Sequence, residues 1–255
     1  MRIADTKESI DKLQHALDTY SKVYYVRFGD GETLLMNSDI KLTCGNRQEN
    51  SEALRTELRE SININDPLYL RAASGSYPLE PGMIDGLFAP FKNHEYLDNI
   101  LNKQIDEGNR PELFLSHILF HYLGVFNQQI LRDFINNYIR PYPKMFIGNC
   151  NKTPMEHFFG KIKVYVKTPT KNSYETIDSW WEEVKNTYED VKVIILASGQ
   201  SSRVIAKRLW AIDANVHCID IGSIVDPVDS QFNTRTCWKI KGHDVYDYFM
   251  GHINE

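Results

Sequence analysis

Residues 191–221, VKVIILASGQSSRVIAKRLWAIDANVHCIDI, decide the fold. The apolar run at 191–197 has the length and composition of a parallel strand that is covered on both faces. A helical pattern opens at 198–202 and continues through about Ile212, and the next strand follows at 216–221. Two parallel strands joined by a helix form a right-handed unit almost without exception. The stretch therefore predicts an α/β domain with helices on both faces of a mostly parallel sheet.

The rest of the chain continues this alternation of strands and helices. The predicted strands lie at 22–28, 67–72, 144–149 and 161–166, and the predicted helices at 7–21, 50–62, 94–106, 127–139 and 173–189, the last capped by Ser173. There is no internal repeat, low-complexity tract or linker in the sequence. Residues 1–255 are therefore predicted to form a single Rossmann-like domain.

Composition and charge argue against several classes of protein. A mean hydropathy of −0.42, with no apolar run near the ~20 residues of a spanning helix, argues against a membrane protein. The net charge of −5 lacks the basic excess of a nucleic-acid-binding protein. The N-terminus has no apolar signal segment, so we expect a cytoplasmic protein whose four widely spaced cysteines are free thiols. The sequence leaves open whether copies of the chain form a homo-oligomer.

The first candidate site is residues 27–32, RFGDGE, at the end of a predicted strand. Carboxylates at Asp30 and Glu32, in a turn loosened by glycines, can converge on a hard cation such as Mg²⁺ or Mn²⁺. Arg27 beside them can pair with a phosphate. Open α/β sheets bind their ligands outside the carboxyl ends of the strands, which favours this position. The alternative is a hairpin turn, because Asp-Gly between hydrophobic residues is a common type I′ sequence.

The second candidate site is the start of the helix that follows the strand at 191–197. The stretch 198–203, SGQSSR, contains Gly199, Gln200, Ser201 and Ser202. A helix N-terminus offers free N–H groups to an anion, and the serine hydroxyls add further donors. The alternative is an ordinary helix cap, since serine is a preferred capping residue.

The third candidate site follows the strand at 216–221. Asp220 can accept a hydrogen bond from a ribose hydroxyl, or it can bond a neighbouring backbone group. Ser223 and Asp226 follow at the same strand end. His117 and His121 are four residues apart in an apolar segment, so we interpret them as core or cleft-edge histidines rather than metal ligands.

Taken together, these elements resemble the GT-D-type glycosyltransferases, a bacterial family long catalogued as a domain of unknown function. The stretch RFGDGE is similar to the signature of that family, and residues 195–223 are similar to its strand, Gly-Pro, helix and strand-IDIGH run. The stretch IRPY at 139–142 is similar to an RPY element between them. The sequence departs from the family in two places, with Gln200 in place of proline and Ser223 in place of histidine.

The resemblance implies a GT-D-like fold and a glycosyltransferase that uses a nucleotide-sugar donor, a UDP-sugar, and a glycan or glycoconjugate acceptor. It implies that Asp30 and Glu32 hold Mn²⁺ or Mg²⁺ on the donor diphosphate. Arg27 is then expected to add positive potential, and Asp226 to serve as the base toward the acceptor hydroxyl, with Asp229, Glu80 and His117 as alternatives. A non-catalytic nucleotide-sugar-binding subunit and a different metal-dependent α/β hydrolase stay open as other functions.

The segment 73–94 is long, rich in glycine and proline, and carries large apolar side chains. A loop of this kind can close over a bound donor, exclude water and offer Tyr77 or Phe88 as a face for a sugar ring. The alternative is a surface loop that its aromatic residues attach to the core.

Overall fold

The computed structural model of the protein describes residues 2–37, 48–75, 80, 86–88 and 94–251. Most of the predicted loop at 73–94, including Tyr77, and also Cys44, lie outside the described residues. Cys150, Cys218 and Cys237 are buried thiols that form no disulfide bond within the described residues, as expected. No helix among the described residues combines the length and the apolar character needed to cross a membrane.

Within the described residues, seven strands form one sheet, and all strand pairs are parallel. The strands are β1 (Val23–Phe28), β2 (Tyr69–Ala73), β3 (Leu115–Ser116), β4 (Lys144–Gly148), β5 (Val164–Lys167), β6 (Val193–Ala197) and β7 (His217–Asp220). Their order across the sheet is β3-β2-β1-β7-β6-β4-β5. The predicted α/β fold is confirmed, and the sheet is entirely parallel over this part of the chain.

Eleven α-helices lie before, between and after these strands in the described ranges. They are α1 (Thr6–Thr19), α2 (Asp30–Met36), α3 (Glu52–Ile62), α4 (His94–Gln104), α5 (Leu119–Phe126), α6 (Gln128–Tyr138), α7 (Lys152–Phe159), α8 (Ile177–Thr187), α9 (Ser201–Ala211), α10 (Val225–Val228) and α11 (Thr236–Met250). The predicted cap at Ser173 is wrong, because α8 begins after a 3₁₀ turn at Ser173–Thr176. The Ser173 hydroxyl instead bonds the Ser198 carbonyl oxygen at 3.1 Å and the Ser201 hydroxyl at 2.7 Å.

The helices cover both faces of the sheet, which is why its central strands are buried on both sides. One apolar core contains side chains of α1, α5, α6, α7, α10 and α11, among them Leu13, Phe120, Phe134, Phe159, Val225 and Trp238. The other contains side chains of α2, α3, α4, α8 and α9, among them Leu35, Leu58, Leu101, Trp180 and Leu209. The two cores meet the two opposite faces of β1, through Tyr25 on one side and Tyr24 on the other.

The strand order places a crevice between β1 and β7. The helix that follows β1 packs on one face of the sheet, and the helices that follow β7 pack on the other. Ligands of open α/β sheets bind where the connections leave neighbouring strands in opposite directions, at the carboxyl ends. Two of the three predicted sites, RFGDGE after β1 and the segment after β7, therefore lie on the two sides of one crevice.

Candidate active site at the crevice between β1 and β7

The RFGDGE stretch forms a strand-to-helix junction. β1 ends at Phe28, Gly29 is the N-cap, and α2 begins at Asp30. The Glu32 side chain turns back and accepts the Gly29 N–H at 2.8 Å, which satisfies a helix N–H and places an acid at the positive end of the helix. The hairpin alternative is therefore wrong, because a capped helix follows the strand.

Behind this junction lies a buried cluster of charged side chains. Arg203 Nη2 lies 3.5 Å from Glu32 Oε1 and 3.3 Å from Asp220 Oδ2, and its Nε donates to the Arg27 carbonyl oxygen. Asp220 Oδ2 also accepts the backbone N–H of Arg27 at 3.4 Å. Arg27 Nε donates to the His117 carbonyl oxygen at 2.6 Å. These contacts join the ends of β1 and β7 to α2 and α9 in one ionic network.

Burial controls the electrostatics of this network. It raises the pKa of Asp220, which has no exposed surface, while Arg203 and Arg27 oppose that rise. Burial also lowers the pKa of Arg27. Such an arrangement is stable only while the charges stay paired, since removing one partner leaves an uncompensated charge in the interior. Asp220 thus makes a bond to a neighbouring backbone group, the second of its two predicted roles, and also forms an ion pair. Its bond to a ribose hydroxyl stays a prediction.

One nitrogen of the Arg27 guanidinium, Nη1, makes no hydrogen bond with the described residues. Gly222 has a φ of +62°, and a Cβ atom there would lie 1.7 Å from Arg27 Nη1. Only glycine therefore leaves space for the guanidinium at this point. Arg27 Nη1 is buried and has no hydrogen-bond partner among the described residues. A buried donor of this kind at a crevice is available to a ligand oxygen.

The loop from β6 to α9 presents its backbone rather than its hydroxyls. Ser201 and Ser202 have no exposed surface, and Ser202 Oγ bonds the backbone N–H and the hydroxyl of Ser198 at 3.1 Å each. Gln200 precedes the helix without a side-chain cap, so neither serine caps α9. Gly199, with a φ of +62°, is the exposed residue of the loop.

The segment after β7 holds a second group of polar side chains. His121 Nε2 lies 2.7 Å from the Ser223 hydroxyl, and Arg235 Nε donates to the same hydroxyl at 3.3 Å. The His121 ring stacks on Trp238 with 5.5 Å between ring centroids. Burial, together with the nearby Arg27 and Arg235, lowers the pKa of His121 well below its usual value. His121 therefore stays neutral at the edge of the cleft.

Arg203 and Arg235 were not predicted from the sequence as site residues. Arg203 follows the SGQSS stretch directly, and only the three-dimensional structure shows that it turns toward Glu32 and Asp220. Arg235 lies in a segment without a recognisable pattern. His117, the other histidine that the sequence singled out, forms a hydrogen bond with the backbone at Ala73. Burial, together with the nearby Arg27, lowers the pKa of His117 to about 3.

Two predicted elements serve the framework of the protein. Arg140, in the IRPY stretch, donates to the carbonyl oxygen of Phe158 near the C-terminus of α7 at 3.2 Å. It precedes β4 and therefore lies at the amino edge of the sheet, away from the crevice. Phe88 is 9% exposed and packs on Tyr122 and Phe126, each with 6.2 Å between ring centroids. Phe88 therefore attaches its loop to the core, which is the alternative to a lid over the sugar donor.

The acids considered as bases differ in their surroundings. Asp226 lies in α10, just beyond Ser223, and is 5% exposed. Asp229 accepts from the backbone and side-chain N–H groups of Asn151 at 3.2 and 3.0 Å. Glu80 accepts from the backbone N–H and the hydroxyl of Thr6 at 3.1 and 2.7 Å, so it attaches its segment to the start of α1.

The two acids of the predicted metal pair also differ from each other. Residues two apart on a helix do not share a face, and Glu32 points into the buried cluster while Asp30 is partly exposed. No group of three or more metal-binding side chains converges within the described ranges. The oxygen donors fit a hard cation at Asp30, whereas Glu32 already accepts from Gly29 and faces Arg203.

No protein-family model matches the sequence, and no curated protein matches it. The chain is similar to a solved structure of a new glycosyltransferase (DUF1792) from Streptococcus sanguinis, with a TM-score of 0.67, 16% identity, and 91% of this chain and 83% of that chain covered. Two more structures of domain of unknown function 1792, one selenomethionine-substituted and one described as a distinct glycosyltransferase fold, each give a TM-score of 0.61 and 16% identity, covering 91% and 80%. The resemblance drawn from the sequence is thus confirmed for the fold, and the chain has the glycosyltransferase fold of domain of unknown function 1792.

Proposed function

We propose that the protein is a metal-dependent glycosyltransferase that moves a sugar from a UDP-sugar to a hydroxyl of a glycan or glycoconjugate. The observation that carries this proposal is the buried Arg27 Nη1, which has no hydrogen-bond partner among the described residues and lies at the crevice of a fold shared with glycosyltransferases. A departing nucleoside diphosphate is strongly anionic. Stabilising the charge that develops on the leaving group is usually the largest electrostatic contribution of an enzyme.

The network around Arg27 is suited to this task because contacts within the protein hold it in place. Glu32 and Asp220 hold Arg203, and Arg203 in turn holds the carbonyl oxygen of Arg27. Gly222 gives the guanidinium its space. A hydrogen-bond donor that is held in place before the reaction needs no reorganisation during it, and this is why such a donor stabilises the transition state. In this proposal the backbone at Gly199, which is exposed, and at Gln200 beside it offers further N–H groups to the nucleotide-sugar.

A divalent Mg²⁺ or Mn²⁺ held by Asp30, with Glu32 as a second oxygen ligand, would neutralise negative charge on the diphosphate. Glu32 also serves as a helix cap and as a partner of Arg203, so its contribution to metal binding competes with its contribution to the fold. Asp30, in contrast, neither caps a helix with its side chain nor pairs with an arginine among the described residues.

The acceptor side of the proposal depends on Asp226. A group that removes the proton of the acceptor hydroxyl must lie within hydrogen-bond reach of it. Asp226 follows β7 at the same edge of the sheet as Arg27, which is why it remains our proposed base. Since its side chain is nearly buried, this role requires direct contact with the acceptor rather than with bulk solvent.

The test is a measurement of free UDP released from a panel of UDP-sugars by the purified protein, with Mn²⁺, with Mg²⁺ and with EDTA. Release that increases with a glycan acceptor and stops in EDTA supports the proposal. Binding of UDP without turnover would show a non-catalytic nucleotide-sugar-binding subunit instead. Phosphate release from ester substrates without sugar transfer would show a hydrolase.

A further inference from the structure

The Ser223 hydroxyl has neighbours on two sides, and both belong to elements distant in sequence. His121, on α5, lies 102 positions earlier in the chain, and Arg235 directly precedes α11. Ser223 itself is partly exposed at the crevice, whereas His121 is 6% exposed and fixed by the stack on Trp238. The pair of neighbours therefore holds a hydroxyl that a ligand can reach.

The direction of each hydrogen bond follows from the atoms available. A serine hydroxyl has one proton and two lone pairs, and a guanidinium can only donate, so Arg235 occupies one lone pair of Ser223 Oγ. His121 is neutral, because its pKa lies well below the usual value, and so it carries one N–H.

His121 Nδ1 is buried without a hydrogen-bond partner among the described residues. A proton on Nδ1 would therefore be an orphaned buried donor, which native structures avoid more strictly than an unused lone pair. The proton belongs on Nε2, where it donates to Ser223 Oγ at 2.7 Å. Both lone pairs of Ser223 are then occupied, and its own proton has no acceptor among the described residues.

We infer that Ser223 is a substrate-binding residue whose hydroxyl donates to a phosphate oxygen, and that His121 is the positioning residue that sets this direction. The inference rests on the proposed function and names the part of the donor that this edge of the crevice takes. Ser223 follows Gly222, against which the Arg27 guanidinium packs, and Arg235 forms no ion pair within the described ranges. Arg27, Arg235 and Ser223 thus present N–H and O–H donors, which match the acceptor-only oxygens of a diphosphate.

The experiment measures the affinity of the intact protein for UDP and for inorganic pyrophosphate by calorimetry, with Mg²⁺ present, together with the melting temperature. Ser223→Ala removes the donor, and His121→Phe keeps a ring on Trp238 but removes the N–H. His121→Gln keeps an N–H donor. The matched control is His157→Phe on α7. This variant also removes one histidine hydrogen bond, which His157 makes to the Phe249 carbonyl oxygen at 3.0 Å.

We expect Ser223→Ala and His121→Phe each to weaken both ligands by about tenfold or more, the range for a hydrogen bond to a charged group. The double variant should be no weaker than either single variant, because the two residues act through one contact. His121→Gln should stay within about threefold of the wild type, and His157→Phe should not change affinity.

A His121→Phe variant that only lowers the melting temperature, or whose effect adds to that of Ser223→Ala, would show a purely structural histidine. If the wild type binds UDP and pyrophosphate while Ser223→Ala binds both equally well, this inference fails and the proposed function stands. If the wild type binds neither ligand, both fail together.

Discussion

Replacing Arg203 by methionine removes a cation shared by two buried carboxylates, Glu32 and Asp220. Methionine fills a similar volume but leaves both acids without this partner. Removing one member of a buried ion pair typically costs about 3–5 kcal/mol. For a chain of this size each kcal/mol lowers the melting temperature by about 2–4 °C, so we expect a decrease of about 6–20 °C in thermal unfolding followed by circular dichroism.

The matched control is Arg208→Met, five residues further along α9. Arg208 pairs with Glu57 and Asp178 at 2.7 and 2.6 Å, but these ion pairs lie near the surface. Surface pairs contribute about 0–1 kcal/mol, so this variant should lose no more than about 4 °C. Equal losses in the two arginine variants would refute the network described above.

The pH dependence supplies a second check on Arg203. The pKa of Asp220 is raised in the folded protein, and removing Arg203 raises it further, because Arg203 opposes the rise. A carboxyl whose folded pKa is raised binds more protons in the native state, so stability falls as the pH rises through that pKa. The deficit of Arg203→Met relative to the wild type should therefore shrink as the pH is lowered. A deficit that grows in acid would contradict this assignment.

Three further predictions concern other parts of the site and its surroundings. Gly222→Ala should lower both the melting temperature and the UDP affinity, because a Cβ atom there displaces Arg27. Gly199→Ala is the control, since Gly199 has the same φ but no atom within 4 Å of the added Cβ, and it should show only backbone strain of about 1 kcal/mol. Asp30→Asn and Glu32→Gln should both abolish stimulation by Mn²⁺, but only Glu32→Gln should also lower the melting temperature; equal melting temperatures would show that Glu32 does not stabilise α2. Phe88→Ala should cost about 3–5 kcal/mol in urea unfolding and leave the ratio of sugar transfer to hydrolysis unchanged; a raised hydrolysis ratio would restore the lid interpretation.

The elements that the sequence predicted well are those whose signal is local. The run at 191–197 became β6, and the pattern after it became α9 and β7, because a buried parallel strand and an amphipathic helix each show their pattern within ten or so residues. α2 was missed because its glycine-containing first turn is also typical of a hairpin. α7 was missed because it is short and contains Pro154.

The site itself was predictable only in outline. Each candidate site could be placed at the carboxyl end of a strand, but the structure was needed to show that β1 lies beside β7. The hydrogen bonds and ion pairs of the site join residues that are far apart in the sequence, such as Arg203 and Arg27, which are 176 residues apart. A local sequence pattern cannot predict such a pair. Glu32 illustrates the difference, since its spacing from Asp30 predicts a metal ligand and its surroundings make it also a cap and an ion-pair partner.

The pairing of β1 with β7 also determines when the crevice can exist. Val23 on β1 is aligned with His217 on β7, so the centre of the sheet closes only after most of the chain has been made. At about 5–20 residues per second, the ribosome needs roughly 10–40 s between these two strands. During that interval β1 exposes an unpaired edge, and β6 does so as soon as it has been made. An unpaired edge is a template for aggregation. A nascent chain that stops before β7 therefore has neither a joined sheet nor the crevice between β1 and β7.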